Sequence, residues 1–354
     1  MEKRKTIDVD FQHQLAWGER NDIVWGLAYR GSISQSNGNA VTFFSPANVR
    51  TQLFSSFIQD EITVVPDKLL LTLGTKVAHA YYTGLAVMPS ARLAWMLDSR
   101  QTIWASLSRA LRTPAETDAA LDSTIPGPTG SGGIPAIIRL LGNPSSRNEV
   151  LLAYEMGYRT TIRDRFSLDV ALYYNAYSAQ QTIEPLAPFV EGLPLQPQLV
   201  VPFRYQNLMS GESHGIEVYA NWKVTNRWSL GPAFAFAQTR MRVNEPSRDT
   251  FSVANAQGSC PANSVQLRSH DEVNRHLSWN TSAFVVGHLT APVVPGYTRL
   301  DSHFTWQYKK GVCFVLGGQN LLNARHLEFV DSTTSAQSTL VSRTAFMKVT
   351  WVFQ

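Results

Sequence analysis

A chain of 354 residues with 44% hydrophobic and 16% charged residues has the composition of a folded protein, and no apolar run of about 18 residues offers a membrane-crossing helix. Its net charge of +4 comes from 31 basic and 27 acidic residues scattered along the chain, which excludes the clustered footprint of a nucleic-acid binder. The two cysteines, Cys260 and Cys313, have neither metal-site spacing nor the density of a disulfide scaffold, and they read as free thiols.

Met1 is followed by Glu2-Lys3-Arg4-Lys5, a charged opening with no apolar stretch behind it, so no export signal is legible. Alternation with period two begins at once. A first strand is expected over about Lys5 to Leu15, with Ile7, Val9, Phe11, His13 and Leu15 opposing Asp8, Asp10, Gln12 and Gln14. After the Trp17 to Asn21 turn a second places Ile23, Trp25, Leu27 and Tyr29 on its apolar face. The polar loop Gly31 to Arg50 leads to a third, about Thr51 to Ile62, which ends at Val65-Pro66-Asp67. The fourth opposes Leu69, Leu71, Leu73, Thr75 and Val77 to Leu70, Thr72, Gly74, Lys76 and Ala78.

Strands at about Val87 to Met96 and Thr102 to Leu111 flank the short Leu97 to Arg100 turn, and Arg112 to Asn148 then forms the longest interruption. Within it, Ile134 to Leu141 has helical spacing and reads as a short helical turn. Gly130-Ser131-Gly132-Gly133 lacks the Lys-Ser/Thr and the strand-to-helix setting of a phosphate loop and reads as flexible chain. Strands at about Glu149 to Ile162 and Arg165 to Asn175 meet at Arg163-Asp164. A Pro-rich loop, Tyr177 to Leu199, precedes one very long strand, about Val201 to Trp222, and its partner from Trp228 to about Met241. Further strands fall at about Asn263 to His270, His276 to Gly287, Thr298 to Gln307, Val312 to Asn320 and Val341 to Phe353. In the last, Val341, Ala345, Met347, Val349, Trp351 and Phe353 share one face and Ser342, Thr344, Lys348 and Thr350 the other.

One apolar and one polar face on strand after strand is the pattern of a transmembrane β-barrel, with hydrocarbon outside and a polar lumen within. Tight turns follow the odd strands and longer loops the even ones, so the tight turns share one end; barrels of this kind turn that end to the periplasm. The count is about fifteen, an odd number. First and last strands then run in the same direction and cannot seal a seam without a parallel contact, which leads to the expectation that strands are missing before residue 1. Trp17, Trp25, Trp104, Trp228 and Trp306 lie near strand ends, where interfacial aromatic belts form.

The terminal third resembles a known family. Tyr297-Thr298-Arg299-Leu300-Asp301, Gly318-Gln319-Asn320-Leu321-Leu322-Asn323 and Lys348-Val349-Thr350-Trp351-Val352-Phe353 are similar to the closing strands of TonB-dependent outer-membrane receptors. Phe57 to Glu61, Ser108 to Pro114, Tyr154 to Arg159 and His214 to Glu217 agree in order and spacing over nearly the whole chain. The resemblance implies an all-β fold, an antiparallel transmembrane barrel of which residues 1–354 form the C-terminal portion: about fifteen strands of about 22. Signal, energy-coupling box, plug and first strands have no counterpart. The family usually closes on an aromatic residue; here Gln354 follows Phe353.

What the resemblance implies for function is energy-coupled uptake of a scarce ligand across the outer membrane of a Gram-negative-type bacterium, with a ferric siderophore or similar metal chelate as the favoured cargo. Cobalamin and oligosaccharides stay open. Implied partners are outer-membrane lipid, the TonB complex acting only through the absent plug, the barrel-assembly machinery through Val341 to Phe353, and the small chelate itself; nucleic acid is not among them. As a plugless wall the chain alone is expected to be incompetent for transport.

Residues in or beside the long loops are the ligand candidates: Phe43, Phe44, Tyr81, Tyr82, Arg112, Tyr177 and Phe189, because aromatic rings and guanidinium groups grip ligands and loops carry specificity. Glu155, Arg159, Glu217, Arg299 and Asp301 fall on polar faces and are expected to form a charge network on the lumenal wall. Gly157 and Gly215 lie mid-strand, where a missing side chain permits close packing. No nucleophile elbow or triad occurs, so no catalytic residue is assigned; His270, His276 and His288 cannot share a metal, and no metal or cofactor is expected. Two other readings compete: a passive pore of about sixteen strands, and a soluble, propeller-like β protein whose apolar faces pack on each other.

Overall fold

The fold is that of a computed structural model, described for residues 2–36, 38–39, 41–127, 134–192, 197–330 and 338–353. The wall opens with β1 (Glu2–Trp17) and β2 (Asn21–Ser36), passes a short β3 (Thr42–Phe44), and continues through β4 (Asn48–Val65), β5 (Leu69–Ala80), β6 (Gly84–Asp98) and β7 (Gln101–Arg112). The excursion that follows holds α1 (Glu116–Ala120), β8 (Leu121–Pro126) and β9 (Ala136–Leu141). β10 (Glu149–Ile162) and β11 (Phe166–Pro185) resume the wall, followed by the short β12 (Phe189–Glu191), β13 (Gln198–Lys223) and β14 (Trp228–Val243). After α2 (Ser252–Gly258) come β15 (Asn263–Asp271), β16 (Leu277–Val286), the small hairpin β17 (Leu289–Thr290) and β18 (Val293–Val294), β19 (Tyr297–Lys309) and β20 (Val312–Gln319). A second hairpin, β21 (Arg325–Leu327) with β22 (Leu340–Ser342), precedes β23 (Thr344–Trp351).

Nineteen strands join one sheet. Four of them, β3, β8, β9 and β12, extend it at the loop end; the other fifteen pair antiparallel, each with the next in chain order. Among the described residues β1 pairs with β2 alone and β23 with β20 alone, so the sheet does not close on itself.

Register carries a single apolar face across the wall, because residues directly opposite in an antiparallel pair point the same way. Phe11 faces Leu27, Tyr29 faces Phe54, Val77 faces Val87, Leu107 faces Tyr154, Leu172 faces Ile216, Phe234 faces Val265 and Leu316 faces Met347. Among the described residues this face meets no second layer: Ile7 is 69% exposed, Leu85 70% and Met347 73%. A contiguous apolar surface of that extent does not face water in a soluble monomer. The soluble reading, which needs these faces packed on each other, is therefore set aside.

The other face is polar and close-fitting. Mid-wall Gly157 pairs with Trp104, and a Cβ there would lie 2.5 Å from the indole; Gly215 pairs with Tyr173, and its Cβ would lie 2.4 Å from the phenol oxygen. Each aromatic ring lies over a glycine, filling the space a side chain would take. Trp104 thus faces the lumen and does not belong to the interfacial belt expected from its position near a strand end.

Four local expectations change. Ile134 to Leu141 does not turn as a helix: β9 runs parallel to the upper part of β13, with Ile137 opposite the fully buried Val200, so tertiary pairing overrides local spacing. Helix occurs instead at α1 and α2. Tyr81 to Thr83 form a three-residue turn between β5 and β6, so that connection at the loop end is as tight as those opposite. The terminal strand begins at Thr344, since Leu340–Ser342 pairs with Arg325–Leu327.

Candidate functional site

At the loop end, short segments are tied to the strand tops by carboxylates that accept several hydrogen bonds each. Asp118 of α1, 8% exposed, accepts from Arg112 Nη1 at 3.0 Å, from the Ala115 amide at 2.9 Å and from Gln181 Nε2 at 3.0 Å. Glu149, at the start of β10, takes the fork of Arg112 at 2.9 and 2.8 Å and the Gln181 amide at 3.1 Å. The Glu149 hydrogen bond is the chief reason that the Arg112 guanidinium sits above its ordinary pKa, against the opposing effect of burial. Asp122 holds Arg139 of β9 by two hydrogen bonds at 2.8 and 2.5 Å. Glu184 accepts from Ser247 and the Arg248 amide.

Asp249 anchors the start of α2, accepting from the amides of Ile183, Phe251 and Ser252 at 2.6, 2.6 and 2.9 Å. Burial pushes its carboxyl up, but the hydrogen bonds from Ser252, Ile183 and Phe251 together outweigh that and hold it below the usual carboxylate value. A depressed folded pKa gives stabilisation that is complete above the unfolded value of about 3.9 and is lost as pH falls through the lower, folded value. Hydrogen exchange should accordingly find the Ile183, Phe251 and Ser252 amides protected from neutrality down to about pH 4, with protection failing below; Asp249→Asn should weaken it above about pH 4 and leave it little changed once the carboxyl is protonated. Protection that fades between pH 7 and 5 would contradict this anchor.

The polar face at the top of β1 to β5 encloses a cavity of about 250 Å³ lined by Arg4, Arg30, Ser32, Tyr81, Tyr82 and Glu116. Arg30 pairs with Asp8, and Arg4 lies 3.5 Å from Glu116. Tyr81 and Tyr82 meet edge to face, 5.0 Å between centroids. The Tyr82 hydroxyl is buried and, among the described residues, without a hydrogen-bond partner, and its pKa is raised first by burial and then by Glu116, so it stays a neutral donor. A buried, unsatisfied donor in a polar cavity is a place for a ligand oxygen.

The structure brings the expected ligand candidates together only in part. Tyr81 and Tyr82 share the cavity just described; Arg112 and Tyr177 share a second, of about 260 Å³. Tyr177 lies within β11, not in a loop, and its hydroxyl is 3.1 Å from Ser213 Oγ. Phe43 and Phe44 sit on β3 opposite Asp122 and Leu121, and Phe189 on β12 opposite Val200. Arg112 is committed to Glu149 and Asp118, which makes it a brace for the rim.

Glu155, Arg159, Glu217, Arg299 and Asp301 share the lumenal parity but form local pairs, not one network. Glu155 accepts from Ser106 at 3.0 Å, Arg159 pairs with Asp169 at 2.6 Å, and Glu217 faces Ala171 and Ala235 in register. Arg299 reaches Asp301 at 2.7 Å and Glu328 at 3.7 Å, and Asp301 accepts the Asn320 amide at 2.9 Å. Asn320, with φ of 54°, also donates to the Val341 carbonyl, the turn-capping role its position suggests. Cys260 and Cys313 are free, and among the described residues no group of three His, Cys, Asp or Glu side chains is placed to hold a metal. Met1, Gly130 to Gly133 and Gln354 lie outside the described residues.

Sequence reading missed Asp118, Glu149, Glu116, Arg4 and Arg30. Only Asp249, an acidic residue just ahead of a helix, carried a local signal.

Comparison with known proteins places this geometry. Residues 2–321 match a family model described as TonB dependent receptor-like, beta-barrel. No curated protein sequence matches the chain. Among solved structures, the siderophore receptor PirA of Acinetobacter baumannii superposes with a TM-score of 0.78 at 12% identity, over 99% of this chain and 55% of that one. The ferric enterobactin receptor PfeA of Pseudomonas aeruginosa gives 0.76 at 15%, over 99% and 54%, and the FrpB iron transporter of Neisseria meningitidis 0.71 at 13%, over 99% and 55%. The chain thus spans little more than half the length of each.

Proposed function

Because the chain belongs to the TonB-dependent receptor-like β-barrel family, we propose that residues 1–354 form one barrel domain of a receptor that captures a scarce metal chelate, a ferric siderophore first, for energy-coupled uptake. The family resides in the outer membrane of Gram-negative-type bacteria, and it transports and does not catalyse. Its solved relatives that fit this wall bind siderophores or carry iron by their own descriptions, which supports the choice of cargo.

In this reading the wall is the C-terminal portion of a barrel of about 22 strands. β1 and β23 run in the same direction, so an odd number of antiparallel strands closes the gap between them, and roughly seven satisfies that count. A plug filling the lumen connects the receptor to the energised TonB complex, and β23 is what the assembly machinery engages.

The observation that carries the proposal is the unpartnered Tyr82 hydroxyl in a lumenal cavity with two arginines, at the end where the longer loops gather. At about 250 Å³ the cavity is smaller than the ~300–1,000 Å³ of whole-ligand pockets, so it accepts one arm of a larger chelate. One hydrogen bond contributes about 0.5–1.5 kcal/mol. Tyr82→Phe is therefore expected to weaken binding about two- to tenfold. Fluorescence titration of the detergent-solubilised chain with ferric enterobactin and with a ferric hydroxamate tests it. Absence of saturable binding by either, together with steady conductance in planar bilayers, would favour the passive pore.

A further inference from the structure

The tight-turn end of the wall carries a second feature, on the apolar face and far from the cavity. Phe304, Trp306, Phe314, Leu316 and Met347 line a groove of about 970 Å³. Asn274 and His276 form its polar mouth. Trp306 lies 5.3 Å from Tyr308 and 5.6 Å from Phe314, so three rings build one cluster.

Register adds a charge to this groove. β19 and β20 pair Trp306 with Phe314 and Gln307 with Cys313, then slip so that Lys309 stands opposite Val312. Val312 in turn faces Trp351 on the apolar side. One inserted residue at Tyr308 therefore turns Lys309 away from the lumenal parity of Gln307 and onto the membrane face, as bulges do. Lys310 follows in the same turn. Arg275 stands in the neighbouring one, which is held against β19 by the Gln307 amide donating to the His276 carbonyl at 2.7 Å.

All three cations are exposed, and among the described residues no carboxylate pairs with any of them. Of the acidic groups of this rim, Glu272 lies 4.0 Å from His270, and Asp271 stands on the apolar face opposite Trp228 and Trp279, two strands from Phe304 and with no ion pair to the three cations among the described residues. An apolar groove alone accepts any acyl chain. Cations in the two turns that flank it, Arg275 between the lining Asn274 and His276 and Lys309 and Lys310 after the lining Tyr308, select for charge, each raising anionic-lipid affinity roughly fivefold near a membrane surface.

We propose that this groove holds one anionic glycerophospholipid of the periplasmic leaflet, an acyl chain against Trp306 and Phe314 and the phosphate on Lys309 with Arg275 and Lys310. The inference rests on the membrane reading of the wall. Native mass spectrometry of the full chain released from micelles, titrated with phosphatidylglycerol or with phosphatidylethanolamine of the same acyl composition, tests it. One phosphatidylglycerol should be retained about a hundredfold more tightly than phosphatidylethanolamine, roughly fivefold for each of the three cations. Lys309→Gln combined with Lys310→Gln should cut that preference to about fivefold, the share of the remaining Arg275, with phosphatidylethanolamine, whose ammonium offsets its phosphate, changed far less, while Lys309→Arg keeps it. Equal retention of the two lipids by the unaltered chain overturns the site and leaves the membrane reading standing. Retention of neither lipid overturns both.

Discussion

Leu73→Arg should destabilise the wall by about 2–4 kcal/mol and block its assembly into membranes, whereas Thr72→Arg, one residue away, should be tolerated. Both positions lie near the middle of β5, but on opposite faces. Leu73 is 45% exposed on the apolar side, opposite Asp60 and Ala91, and Thr72 turns to the lumen, where Arg92 stands across from it. If hydrocarbon covers Leu73, a guanidinium there loses its hydration. If water covers it, the same change exchanges one exposed side chain for another and costs within about 0.5 kcal/mol. Urea titration of the chain folded in vesicles distinguishes the two. Each variant meets one carboxylate on β4, Asp60 for Leu73→Arg and Glu61 for Thr72→Arg, and only the latter also faces Arg92, so a larger loss at Leu73 reports the face.

Asp118→Ala is the second large effect, and it should be confined to the rim. The carboxylate accepts from Arg112, the Ala115 amide and Gln181, which bind the 113–148 excursion to the tops of β7 and β11. Its removal leaves a part-buried amide and the half-buried Gln181 carboxamide unsatisfied, at no more than about 1–3 kcal/mol apiece. Arg112 keeps Glu149, and because the guanidinium is half exposed, solvent screens part of its loss. We expect limited proteolysis to cut within 113–148 at least tenfold faster, ferric-chelate affinity to fall, and the denaturant midpoint of the wall to stay put. A cooperative loss of the whole sheet would instead mean that rim and wall are one unit.

The wall was legible in the sequence because its driving pattern is local: every second residue reports which face it occupies, so Leu69 to Ala78 or Phe166 to Asn175 can be assigned without knowledge of their neighbours. Strand ends were read short, as at β4 and β13, where polar residues above the apolar band still pair. The rim was not legible. Arg4 and Glu116, or Gln181 and Asp118, lie far apart in the chain and meet only through strand pairing, and nothing near either residue signals the other. Ile134 to Leu141 failed for the same reason in reverse, since its helical spacing was overridden by a strand of β13 some sixty residues on. Arg112 ends β7, and its ion pairs with Asp118 and Glu149 show that a conspicuous arginine beside a loop serves first as a brace.

Spin labels placed singly along Leu69 to Ala78 of the reconstituted chain test the central claim most directly. Accessibility should alternate residue by residue, with Leu69, Leu71, Leu73, Thr75 and Val77 open to oxygen and closed to a water-soluble nickel chelate, and Leu70, Thr72, Gly74, Lys76 and Ala78 the reverse. Nickel access at both sets, or oxygen access without alternation, would contradict a wall with lipid on one side and a polar lumen on the other.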